Sequence, residues 1–240
     1  MRPLRAILLT GALLFMASTG SAQEKTPPAK PEAAPLVDID DLVGESQQTI
    51  RGEGRTGIVW WIPVDFWEAS ARQTGDSTSQ FQSLRDYTMV VVAAGNVGTF
   101  GSIQWISEKD LRSSIRLRDE AGTEYEPFRT VSGDVAVFAA VIRPVLINAL
   151  GPLGQHMEVF LFPARDAKGK FISDAKTPGK FSIVLNEIEG FGASLHEWNL
   201  PLSSLSPPKF CPQGKEKVLA NWKFCPWHGN KLDGATETPN

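Results

Sequence analysis

Residues 87–94 read Tyr-Thr-Met-Val-Val-Val-Ala-Ala, an almost wholly apolar, valine-rich stretch. β-Branched side chains favour extended backbone, and successive side chains of a strand point to opposite faces. A strand without polar alternation has no face to offer water. This segment is therefore predicted to be buried on both sides.

Other strand signals surround it. Residues 57–66 are β-branched and aromatic and include Trp60 and Trp61. Residues 113–118 alternate Ile115 and Leu117 with Ser114, Arg116 and Arg118, which predicts a half-exposed strand. Asp119-Glu120-Ala121-Gly122 then turns the chain into 123–128 as a hairpin. Residues 135–142, 157–162 and 180–186 predict three more strands, separated by turn signals such as Asp166-Ala167-Lys168-Gly169 and Pro178-Gly179.

Helical periodicity is sparse. Residues 65–73 predict two turns capped by Asp65, and 144–150 a second short helix begun by Pro144 and stopped by Gly151. Residues 36–48 mix aliphatics with Asp38, Asp40, Asp41 and Glu45, as a short helix or strand docked on the domain would. About seven short strands with little helix predict a mainly β fold. The expected arrangement is an antiparallel β-sandwich over 50–205 with one or two short helices, and not a βαβ sheet.

The N-terminus reads as an export signal. Arg2 and Arg5 are followed by a largely apolar stretch, 6–17, and by the small residues Gly20-Ser21-Ala22, which suit a signal peptidase. The apolar stretch is shorter than the roughly 20 residues a membrane span needs. Residues 1–22 are read as a cleaved signal peptide, which places the protein in the periplasm or outside the cell with no membrane span after cleavage. Residues 23–49 then form a Pro/Ala-rich tether and an acidic segment. Cleavage leaves 22 basic against 27 acidic residues, net −5, compared with 24 against 27 in the whole chain. That balance lacks the clustered basic footprint of a nucleic-acid binder.

Both cysteines lie in the last thirty residues, in Cys211-Pro212 and Cys225-Pro226-Trp227-His228-Gly229. A tetrahedral zinc site takes four ligands, usually two from each tight turn at C-x2-C spacing. The second turn offers Cys225 and His228; the first offers only Cys211, with Gly214 where its partner would stand. Glu216 is the only acid between the two turns.

Two resemblances bear on function. Residues 114–127, with Asp119, Gly122 and Tyr125 at the turn, look like the central hairpin of bacterial exported immunoglobulin-like sandwich domains, a likeness spanning about 57–200. Residues 206–234 resemble a bacterial zinc ribbon that has lost a ligand. The second turn matches at Cys225, Pro226, His228 and Gly229, and the first at Cys211 and Pro212 only. The resemblances imply an immunoglobulin-like sandwich with a small C-terminal ribbon hairpin and a disordered end, 235–240. A ribbon of this kind would bring Cys211 and Cys225 within bridging distance.

In an oxidising compartment two cysteines more often bridge than bind metal. The expectation is a Cys211–Cys225 disulfide and no cofactor, with zinc held by Cys211, Cys225 and His228 as the alternative. Seven tryptophans raise a carbohydrate-binding reading, in which Trp60, Trp61 and Trp105 serve as exposed stacking platforms. Catalytic motifs fail: His196-Glu197 has Leu200 where a helical zinc motif needs histidine, and Gly192-Ala193-Ser194-Leu195-His196 is no nucleophile elbow. His196 is read as a surface residue, with a fourth zinc ligand as its more speculative role. The reading is an exported, non-enzymatic interaction or assembly module with a protein partner; its alternatives are carbohydrate binding and zinc binding through the hairpin.

Overall fold

A computed structural model describes residues 37–52, 54–131 and 133–232. The expected signal peptide, the tether through residue 36 and the tail 235–240 lie outside the described residues.

Asp38 caps α1 (Ile39–Ser46), its carboxylate accepting from the N–H groups of Asp40 and Asp41. β1 (Gln47–Gly52) and β2 (Arg55–Ile62) form a hairpin, followed by α2 (Val64–Thr74), a 3-10 segment (Ser79–Asp86) and β3 (Tyr87–Val97). β4 (Ile103–Trp105), α3 (Glu108–Ser114), β5 (Ile115–Arg118) and β6 (Glu124–Tyr125) lead to α4 (Gly133–Leu150). β7 (Glu158–Pro163), β8 (Gly179–Leu185) and β9 (Ser194–Leu200) complete the body. β10 (Lys209–Phe210) and β11 (Lys217–Val218) make the C-terminal hairpin.

The described strand pairings are antiparallel. In the first sheet β1 pairs with β2 and β2 with β3, while the far edge of β3 is shared by β7 and β4. The second sheet runs β6-β5-β8-β9. In the β5–β6 hairpin Asp119 organises the turn: its Oδ1 accepts from Thr123 N–H at 2.8 Å and its Oδ2 from the Tyr125 hydroxyl at 2.9 Å.

Register explains the apolar run. Trp61 lies opposite Val90 and Trp60 opposite Val91. Trp61, Val90, Val92 and Phe160 face the second sheet, where they pack with Leu117, Phe181 and Trp198. Trp60, Val91 and Ala93 point the other way, into a helical layer that supplies Trp67, Phe81, Val135 and Ile142. β3 is thus buried on both faces, as expected, by a sheet on one side and helices on the other. Trp61 meets Phe181 edge-on at 4.8 Å, and Phe181 stacks on Trp198 at 5.2 Å. Such pairs add about 0.5–1.5 kcal/mol each beyond area burial. Ser46, closing α1, accepts from both flanking indoles: Trp60 Nε1 donates to its Oγ and Trp198 Nε1 to its carbonyl, each at 3.1 Å.

The helical layer corrects the mainly β expectation: the fold is mixed α and β. Residues 135–142, expected as a strand, belong to α4, which also absorbs the short helix expected from Pro144. Strand propensity mostly reports fit to a half-buried pleated surface, and here tertiary packing overrides it. Val135, Ile142 and Leu146 recur at helical spacing on the buried side. Pro144 removes one helix hydrogen bond, but Pro144 and the residue four before it, Ala140, are both exposed, so water can satisfy the freed carbonyl. In α2 the N-cap is Pro63, and Asp65, expected as the cap, is instead buried and ion-paired with Lys176. Among the described residues no helix is long and apolar enough to cross a membrane.

Candidate metal centre

The C-terminal hairpin contains two turns of the same construction. In each, the cysteine N–H donates to the carbonyl five residues on: Cys211 to Glu216 at 3.0 Å and Cys225 to Asn230 at 2.8 Å. The residue four positions on donates back to the cysteine carbonyl, Lys215 at 2.9 Å and Gly229 at 2.8 Å. That fourth position is left-handed in both turns, with φ 66° at Gly229 and 62° at Lys215. Glycine adopts this conformation without strain; lysine does not. Proline after each cysteine presets the turn where no N–H is needed.

These turns aim four side chains at one point. Cys211 Sγ, Glu216 carboxylate, Cys225 Sγ and His228 ring nitrogen all lie within 4.8 Å of one another. His228 Nδ1 is 3.5 Å from Cys211 Sγ and 3.6 Å from Cys225 Sγ, and Cys225 Sγ is 3.7 Å from Glu216 Oε1. With zinc bonds of about 2.3 Å to sulfur and 2.0–2.1 Å to nitrogen or oxygen, tetrahedral donors stand roughly 3.3–3.8 Å apart. Those three edges match. Of the other three edges, His228 Nδ1 to Glu216 Oε1 is 2.9 Å, a hydrogen-bonding separation a few tenths of an ångström inside the tetrahedral edge, and those from Cys211 Sγ to Cys225 Sγ and to Glu216 lie within 4.8 Å.

Glu216 brings a donor atom to the place that the first turn leaves without one. A Cβ built on Gly214 would collide with the Glu216 carboxylate and approach the His228 ring. The bare glycine therefore leaves the room through which Glu216, two residues later, reaches inward. In the sequence Glu216 stands as the only acid between the turns, but at no spacing that marks it as a ligand. The available signal was the pairing of a glycine at the vacant ligand position with a carboxylate just beyond it.

The environment suits thiolate at one cysteine. Burial opposes the Cys211 thiolate, but N–H groups of Gly214 and Gln213, the Cys225 thiol and the Asn230 amide donate to it and bring its pKa to about 7. Burial pushes the Cys225 thiol up; N–H groups of His228 and Trp227 pull it down, and the Cys211 sulfur adds to the rise. A divalent cation between the sulfurs would remove that mutual repulsion. Four protein donors close a tetrahedral shell, which is the arrangement of a structural site and not of one that keeps a position for substrate.

Cys211 and Cys225, expected as a disulfide pair, are not at bridging distance here and stand as buried free thiols. Both sulfurs border the centre shared with Glu216 and His228, at a separation greater than the roughly 2.05 Å of a disulfide bond. His196 takes no part. It is buried on the sandwich face of β9, only 5% exposed and within 3.2 Å of Ser194 Oγ, which corrects the surface reading. The sugar-platform residues are not a row of exposed rings either. Trp60 and Trp61 are buried on opposite faces of one sheet, and the half-buried Trp105 stacks on His156 at 4.6 Å. No protein-family model, curated protein or solved structure matches the chain.

Proposed function

We propose that this protein is an exported, non-enzymatic interaction module whose C-terminal hairpin is a zinc ribbon, held by Cys211, Glu216, Cys225 and His228. The convergence of two sulfurs, a ring nitrogen and a carboxylate at near-tetrahedral separations carries the reading. Two soft thiolates, a borderline imidazole and a harder carboxylate are all ligand types that zinc takes. Zinc would act as a staple, because binding energy gained only in the folded hairpin is folding energy. Burial within the hairpin is otherwise slight, with Val218 and Leu232 beside the cysteines.

Export is supported by Arg2, Arg5 and the apolar stretch that follows. Two facing antiparallel sheets support an immunoglobulin-like likeness for the body, while the helical layer on one sheet departs from it. The metal reading is tested by native mass spectrometry, elemental analysis and zinc-edge X-ray absorption on the protein prepared in an oxidising compartment. The expected result is one zinc per chain with two sulfur and two nitrogen or oxygen neighbours. Metal-free protein carrying a Cys211–Cys225 disulfide would overturn it.

A further inference from the structure

We propose that the crevice between α1 and the C-terminal hairpin binds a basic side chain presented by a partner protein, an arginine guanidinium above all. A cavity of about 460 Å3 opens there. One wall is acidic. Asp41 and Glu45 lie four residues apart on α1, so both carboxylates reach the same face. Glu45 is held in place: Oε1 accepts from Ser203 N–H at 3.1 Å, and Oε2 from Ser204 N–H at 3.0 Å and its hydroxyl at 2.8 Å. Asp41 remains exposed.

The opposite wall is aromatic. Trp222 and Trp227 lie 5.7 Å apart with their planes at 63°, an edge-to-face pair, and both residues line the space. Trp227 is 63% exposed, a large apolar surface left in water. It sits between Cys225 and His228, in a turn whose backbone is already fixed, so little freedom is lost when something covers it. An indole face attracts cations, and guanidinium is a flat, weakly hydrated cation that stacks on rings while donating to carboxylates. Lys217, at the rim, is the only cation in the lining, leaving two negative charges against one positive. An anion would meet that excess, and a neutral sugar, although its hydroxyls can donate to the carboxylates, would leave their charge uncompensated.

The site needs only a docked hairpin, and the docking does not pass through the metal centre. Ala220 N–H donates to Ser203 Oγ at 2.9 Å and Asn221 Nδ2 to the Asn199 carbonyl at 2.8 Å. The inference rests on the folded hairpin that zinc would staple, but it uses none of the metal-centre side chains, so the two readings have separate readouts.

The test is a tryptophan-fluorescence titration of the full chain with a blocked Gly-Arg-Gly peptide. Controls are the citrulline peptide, which differs in charge, and cellobiose as a neutral sugar. Saturable quenching by the arginine peptide is expected, roughly 2- to 30-fold tighter than by the citrulline peptide. Trp227→Ala and Asp41→Asn should each weaken it by a similar factor, with unchanged circular dichroism; Asp41→Asn preserves shape and serves even where Trp227→Ala perturbs the hairpin. Equal affinity for the two peptides, quenching by cellobiose alone, or no saturation by arginine up to on the order of 10 mM would overturn the proposal. Zinc content measured on the same sample keeps the two readings apart. Arginine discrimination by metal-free protein sinks only the zinc reading, and zinc-loaded protein without discrimination sinks only this one.

Discussion

The carboxylate of Glu216 occupies the volume that a side chain at Gly214 would need. The two positions therefore act as a unit: the missing ligand at 214 and the supplied ligand at 216 are one arrangement. Gly214→Ala should displace the carboxylate and weaken zinc binding at least about 10-fold, as should Glu216→Ala, in competition with a chromophoric chelator. The double variant Gly214→Cys with Glu216→Ala should recover binding to native strength or better, because a third thiolate then stands at C-x2-C spacing. Additive loss in the double variant would show that the two positions are not linked.

Lys215 holds the left-handed position that Gly229 holds in the second turn. Lys215→Gly should stabilise the hairpin by up to about 1 kcal/mol, since the strain of a side chain at positive φ is removed and is only partly offset by glycine's freedom when unfolded. Thermal melts followed through tryptophan fluorescence report it; a lower midpoint would contradict the strain argument.

Burial holds the His196 pKa below its usual 6.5. Between that lowered value and about 6.5 the unfolded chain binds more protons than the folded one, so stability rises with pH across this window and is level above it. Acidifying from pH 7.5 through 6.5 should therefore begin to cost stability. Urea denaturation over this range should show the slope in the native protein and a shallower one in His196→Gln.

Trp61, only 1% exposed, packs against both Phe181 and Trp198 between the sheets. Trp61→Ala should cost about 3–5 kcal/mol in chemical denaturation, the range for a large aromatic removed from a core. A loss below about 1 kcal/mol would mean that Trp61 is not packed as described.

Phe100 is fully exposed with φ 65° at the tip between β3 and β4. Phe100→Gly should leave stability unchanged or raise it by up to about 1 kcal/mol, since no packing is lost and backbone strain is relieved. Destabilisation beyond that would reveal a contact that the exposed ring does not make in this structure.

What the sequence by itself determined is what neighbouring residues decide among themselves. The doubly buried strand at 87–94, the turn set by Asp119 and Gly122, and a strand ending at Arg118 follow from side-chain alternation and turn chemistry, although the strand read from 113 starts only at Ile115, since 113 and 114 close α3. The second cysteine turn likewise reads directly from Cys225-Pro226-Trp227-His228-Gly229. Other features depend on what lies across the core. Residues 135–142 carry β-branched side chains that fit strand or helix, and only a bare sheet face beside Trp60 and Val91, waiting to be covered, makes them helical. His196 sits in a polar-looking segment, yet β8–β9 register turns it inward. The role of Glu216 depends on the second turn bringing His228 and Cys225 to face the first, since a carboxylate becomes a ligand only when other donors share its point in space. Local preference amounts to tenths of a kcal/mol per residue, whereas burial and convergence amount to several, so tertiary structure made these decisions.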